Sequence, residues 1–247
     1  MKLTVIGFWG AYPAQDSATS AYLLEKDGFN LLVDAGSGSL SKLQKQIHVM
    51  DLDAVILSHY HSDHAADIGV LQHAWLVQSY LTGQKGVLPI YGHTDDNDHF
   101  RQLSHKFTEG VSYDPDTELV IGPFSITFLK TIHPVPCYGM RITDGDTTIV
   151  YTADTAFMDT WMNFAKDADL LITDCNFYAD QNGSVAGHMT SEEGASIAEG
   201  AHVGELLLSH LPHYRNTHDL IDEAGVYFSG DIYLAREGLT WEKNNNF

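Results

Sequence analysis

The chain has 247 residues, 44% of them hydrophobic, enough for one substantial core or two small ones. Lys and Arg number 13 against 33 Asp and Glu, a net charge of −20 with no basic run to offset it, which argues against gripping an extended polyphosphate backbone. Two cysteines without CxxC spacing exclude a disulfide scaffold and fit a reducing, cytoplasmic compartment, and no run of 18 apolar residues offers a membrane span.

In chain order, the apolar N-terminal stretch superficially suggests a signal peptide. Gly7 and Gly10 break it, so it reads as a first strand over residues 3–6 and a Gly/Pro loop. Further strands are predicted at 20–25, 29–34, 53–58, 88–91, 118–121, 125–130, 138–143, 147–152, 170–173 and 205–208. Helical patterns fall at 39–46, 65–81, 95–107, 157–165, 191–199 and 217–224. Ser191 opens one helix with Glu192 and Glu193, and Thr217 precedes Asp219 in another. Asp27-Gly28 and Asp144-Gly145-Asp146 mark hairpin turns. Hairpins mixed with strand–helix alternation predict a single α/β domain over residues 1–247, with layered sheets and helices outside. The tail 243–247 is expected to fray.

The sharpest signal is LSHYHSDHAADIGV at 57–70. His59, His61, Asp63 and His64 follow a buried strand and lead into a helix, the place where α/β proteins carry chemistry. His59 and His61 are two apart and face one side of an extended turn. Asp63 and His64 point elsewhere, so one turn offers half of two adjacent metal sites. Imidazole and carboxylate suit zinc, with manganese or iron as alternatives. His133 in KTIHPVP, Asp154 in YTADT and His210 in LLLSHLPHY also follow predicted strands. A carboxylate at Asp154 has two oxygens and would bridge two ions. A cation pair lowers the pKa of a hydroxide trapped between them, yielding a nucleophile without serine or cysteine.

HxHxDH with the spaced His133, Asp154 and His210 resembles the metallo-β-lactamase superfamily, over essentially the whole chain. The resemblance implies a four-layer αββα sandwich and two divalent ions. His59, His61, His133 and Asp154 would hold one ion, and Asp63, His64, Asp154 and His210 the other. LLVDAGSG at 31–38 matches the family's first motif, and Asp34 would accept a ligand imidazole's N–H. His61 stands where oxygen-reducing di-iron members carry Glu. Asp154 stands where many true β-lactamases place Cys.

Within the superfamily the chain is most similar to the ribonuclease Z-like branch. GFWGAYP at 7–13, SATSAYLL at 17–24 and GHMTSEEGASIA at 187–198 carry that likeness. By it, His188 would stabilise the phosphate or leaving group, with Asp63 as the second catalytic group. The branch's long basic tRNA-binding arm is absent, because only residues 134–153 separate His133 from Asp154. Members often have an acidic residue three before the bridging Asp. This chain has Tyr151 there, a weaker acid–base partner at neutral pH. The expected substrate is therefore a small phosphodiester, a cyclic nucleotide or short oligonucleotide. The alternatives are a ribonuclease Z-like tRNA 3′ endonuclease, or a lactonase or thioesterase using the same site. A homodimer is expected by analogy with the branch.

Overall fold

Asp27 and Gly28 both have positive φ, 52° and 82°, the geometry a tight right-twisted hairpin demands. They join β2 (Ala21–Lys26) to β3 (Phe29–Val33), which pair antiparallel from Tyr22↔Val33 to Lys26↔Phe29. The computed structural model describes residues 1–83 and 86–243. The expectation for the tail beyond Lys243 lies outside them.

The chain folds into two compact units. The first comprises Met1–Asp114, Ile121–Pro123 and the stretch from Arg236. Its strands are β1 (Lys2–Gly7), β2, β3, β4 (Ala54–Ile56), β5 (Leu88–Gly92), β6 (Thr108–Ser112) and β14 (Thr240–Glu242). They form one sheet in the order β14-β1-β2-β3-β4-β5-β6. The β14 to β3 side is antiparallel and the β3 to β6 side is parallel. Its helices are α1 (Ser39–Leu43), α2 (Ser62–Ala65), α3 (Ile68–Thr82) and α4 (Asn97–Arg101), with a 3₁₀ turn at Val49–Asp51. Leu23, Leu32, Val55 and Ile90 of the sheet pack with Ile68, Leu71 and Trp75 of α3.

The second unit comprises Pro115–Val120 and Phe124–Ala235. Its strands are β7 (Leu119–Ile121, shared with the first unit's boundary), β8 (Phe124–Lys130), β9 (Tyr138–Thr143), β10 (Thr148–Tyr151), β11 (Leu170–Asp174), β12 (Glu205–Ser209) and β13 (Asp231–Leu234). The order is β13-β12-β11-β10-β9-β8-β7. Strands β10 to β13 are parallel, and β8, β9 and β10 antiparallel. The helices are α5 (Thr160–Phe164), α6 (Ser191–Gly200) and α7 (Asp219–Ala224).

Most predicted strands are present within one or two residues. The predicted helix at 65–81 is broken into α2 and α3. Asp67 sits at the break because its carboxylate accepts from the backbone N–H groups of Gly38 and Leu40, at 3.2 and 2.8 Å. The predicted helix at 95–107 is a single turn, α4, and β6 follows it. Strands β6, β13 and β14 escaped the sequence reading. Each lies on a sheet edge, where one side stays unpaired and apolar alternation is weak. No described helix is long and apolar enough to cross a membrane.

Candidate metal centre

In the first unit, the parallel strands β3 and β4 end side by side. Asp34 follows β3 in the left-handed region, φ 58°, and is fully buried. Its Oδ1 accepts from Ser58 N at 2.8 Å and its Oδ2 from Ser58 Oγ at 2.9 Å. The same Oδ2 lies 2.8 Å from His64 Nδ1. A buried carboxylate there takes the Nδ1–H, leaving the lone pair of His64 on Nε2. Ser58 Oγ gives its proton to Asp34, so it accepts from His59 Nδ1 at 3.0 Å and fixes the same tautomer. One carboxylate therefore aims two imidazoles.

The rings of His59 and His61 meet edge-on with centroids 4.9 Å apart, and those of His59 and His64 lie 4.2 Å apart. His61 is the N-cap residue of α2, which carries Asp63 and His64. Asp63 Oδ2 accepts from Ala11 N at 2.7 Å. That bond gives the early GFWGAYP loop a job, bracing the Asp63 carboxylate.

In the second unit, candidate ligands again sit at the carboxyl ends of parallel strands. Ala153 just past β10 and His210 just past β12 are left-handed, with φ of 52° and 53°. A non-glycine residue in that region is uncommon and concentrates at functional sites. The kinks turn Asp154 and His210 toward one another. Asp154 Oδ1 lies 3.4 Å from His210 Nε2, and its Oδ2 lies 3.8 Å from His133 Nε2. His133, beyond β8, has its Nδ1 3.1 Å from Gly187 O, which holds the proton there and the lone pair on Nε2. The two oxygens of Asp154 thus face two different histidines.

His188 joins this group. Its ring stacks on His210 at 5.0 Å and meets His133 edge-on at 5.3 Å. Its Nδ1 lies 2.8 Å from Asp174 Oδ2. The acidic partner that Tyr151 cannot supply therefore comes from the end of β11, while Tyr151 is buried in β10. Asp174 Oδ1 also lies 3.4 Å from His210 Nδ1, so one carboxylate serves both histidines. Burial opposes ionisation of Asp174, but the charge and hydrogen bond of His188, with those of His210, hold its carboxyl below the usual range. Burial likewise opposes the His188 imidazolium, but Asp174 outweighs it and raises the pKa above the ordinary value. Asp174 was missed from the sequence. A carboxylate ending the buried run LLIT was the available signal, the same one that marked Asp154.

The donors fit divalent cations. Ligand atoms each about 2.1 Å from one tetrahedral ion lie about 3.4 Å apart, the range seen around Asp154. They are neutral imidazole nitrogens and carboxylate oxygens, borderline to hard donors suited to zinc, manganese or iron. At neighbouring Cys175, complete burial, with Asp174 and Glu223 nearby, pushes the thiol pKa well up and so disfavours the thiolate.

A β-lactamase superfamily domain matches residues 29–211, most of the chain. The chain belongs to the β-lactamase superfamily. It is 54% identical over 243 residues to the probable metallo-hydrolase YhfI of Bacillus subtilis, covering 98% of this chain and all of that one. The crystal structure of YhfI, a metallo-β-lactamase fold protein, superposes with a TM-score of 0.96 over 97% of this chain and 98% of that one. The fold is thus the metallo-β-lactamase α/β sandwich that the sequence led us to expect. Ribonuclease Z of Metallosphaera sedula is 25% identical over 283 aligned positions, covering 92% of this chain and 94% of that one. Human tRNase Z, short form, shares the fold at a TM-score of 0.79 and 20% identity, over 99% of this chain and all of that one.

Proposed function

We propose that this β-lactamase superfamily protein is a binuclear metal-dependent hydrolase of a small phosphodiester, a cyclic nucleotide or short oligonucleotide. By the family resemblance of the sequence motifs, His59, His61, His133 and Asp154 would hold one divalent ion, and Asp63, His64, Asp154 and His210 the other. Zinc is the first choice for these donors. The observation that carries the reading is Asp154, whose two buried oxygens face His133 and His210 separately, as a bridging carboxylate requires. Such ions, when bound, supply activated water and positive charge for the phosphoryl oxygens. The chain's own groups do the rest. Asp34 fixes two ligand tautomers, and His188, held by Asp174, donates toward the leaving oxygen or stabilises its charge.

What this chain lacks favours a small substrate. Residues between His133 and Asp154 are taken up by the hairpin of β9 and β10. The alignment with the M. sedula ribonuclease spans 283 positions, more than the 247 residues here, so that enzyme carries inserted segments this chain does not. A net charge of −20 opposes a long polyanion, while a single phosphodiester needs only the local field of the cations.

The test is a turnover screen of zinc- or manganese-loaded protein. Bis(p-nitrophenyl) phosphate and cyclic nucleotides are expected to react, and a lactone, a thioester and precursor tRNA to react poorly. Turnover of the carbonyl compounds alone would overturn the substrate class. Asp154→Ala should reduce bound metal below two ions per chain by elemental analysis and abolish turnover. Full metal content in that variant would remove the bridging assignment.

A further inference from the structure

A cavity of about 380 Å³ opens in the first unit between α2, the start of α3 and α4, within the volume range of small-molecule pockets. Tyr60, Ser62, Gly69, Gln72, His99 and Gln102 are among the residues lining it. It borders the ligand turn, two of whose residues, Tyr60 and Ser62, line it. His59 and His61 have their rings together, whereas Tyr60 between them turns the other way to stack on His99, centroids 5.7 Å apart and planes 12° apart. Tyr60 Oη donates to His93 O at 2.6 Å, which locks the ring, and Asp96 Oδ2 holds His99 Nδ1 at 2.8 Å. The result is a fixed aromatic shelf.

Gln72 is the decisive residue. It is 9% exposed, and its Nε2 donates to both Gln102 O and Leu103 O, at 2.8 and 2.9 Å. Those two bonds fix which end of the amide is which. Its Oε1 accepts from no described residue and is not fully enclosed, so the Gln72 side chain lining the cavity offers it an oriented acceptor. Gln102 donates Nε2 to Asp98 O at 3.1 Å, which leaves its carbonyl oxygen as a second acceptor at the rim. Acidic Asp95, Asp96 and Asp98 border α4 and repel anions. The site therefore calls for a flat ring, uncharged or cationic, that presents N–H donors.

We propose that this cavity binds a planar amino-bearing heterocycle, the chemistry of an adenine-like nucleobase, with its amino group on Gln72 Oε1 and its ring against the Tyr60–His99 shelf. This goes beyond the hydrolase reading and does not depend on it. The ring has two possible sources, the base of a nucleotide substrate or a separate effector. Either would contact the turn that carries His59, His61, Asp63 and His64 through Tyr60 and Ser62.

The experiment is calorimetric titration of adenosine into the metal-loaded full chain, with purine riboside, the same ring without the amino group, as comparator. Gly69→Leu is the blocking variant, because Gly69 lines the cavity and a Cβ there meets no atom within 4 Å, so a larger side chain is accepted without strain. One-to-one adenosine binding is expected. It should be about tenfold weaker for purine riboside, the scale of one lost hydrogen bond, and lost in Gly69→Leu. Gln72→Met gives a second check that does not rely on steric blocking, again with about tenfold loss. No saturable binding, equal affinity for the two rings, or undiminished binding in both variants would overturn the proposal. Adenosine inhibition of bis(p-nitrophenyl) phosphate turnover then distinguishes the sources. Competitive inhibition assigns the site to the substrate's base, and a change in kcat alone assigns it to an effector. The titration needs no turnover, so its failure leaves the hydrolase reading standing, and an inactive protein still tests the cavity.

Discussion

Asp174 shows how one carboxylate decides what its neighbours do. It contacts His188 Nδ1 and His210 Nδ1 from opposite oxygens, so on the proposed reading it prepares a proton donor and a metal ligand together. Asp174→Asn keeps the shape and removes the charge. It should cut kcat/KM for an alkyl phosphodiester by about 10²- to 10⁴-fold, and for a p-nitrophenyl ester far less, because a good leaving group needs no proton. Steady-state kinetics on the two substrates measures the difference. Equal losses on both would show that Asp174 serves only to aim His210. Gly36 carries a different constraint. A Cβ there would lie 2.1 Å from Asp63 O and 2.2 Å from Thr19 Oγ1. Gly36→Ala must push α2 away from the 34–38 turn. It should cost about 1–3 kcal/mol in a denaturant melt and weaken metal binding through displacement of Asp63 and His64.

At the scale of elements, α6 ties stability to the site. Thr190 Oγ1 accepts from Glu193 N, and Glu193 Oε2 accepts from Thr190 N at 2.9 Å, a reciprocal capping box. His188 lies two residues before that cap. Thr190→Ala should lower stability by about 1 kcal/mol, and kcat should fall more than KM rises as His188 loses its fixed backbone. A thermal melt read beside the kinetics checks both. The helix start was legible from Ser191, Glu192 and Glu193, yet the cap proper is Thr190, one residue earlier. The broken helix at 65–68 was not legible, because Asp67 is drawn out of a helical pattern by backbone donors of α1, 27 and 29 residues away in sequence. The short α4 and the edge strand β6 were hidden for a related reason: edge pairing rewards few apolar residues, so the pattern carried little signal.

For the molecule as a whole, the charge of −20 gives a test of substrate class. An enzyme that grips a polyanion through cations loses affinity steeply as salt rises. This chain should do the reverse with an anionic phosphodiester. Between 50 and 200 mM salt, as order-of-magnitude limits, kcat/KM is expected to hold or rise modestly as long-range repulsion is screened. A steep fall would point to a cationic groove gripping a longer substrate.

The sequence by itself determined the candidate site residues and their places at strand ends. Those signals are local, with an apolar run, a turn and a donor in one short window, as at His59–His64, Asp154 and His210. It also determined the hairpin at 27–28, where only backbone chemistry is involved. The tertiary structure alone decided which acid serves His188, which carboxylate fixes the tautomers of His59 and His64, and which strands close the sheets. Each of those depends on which strand ends stand beside one another. That order is set by long-range pairing, such as β10 with β11, β11 with β12 and β1 with β14. A short window of sequence contains the donor of a hydrogen bond. The acceptor arrives only when distant strands are laid side by side.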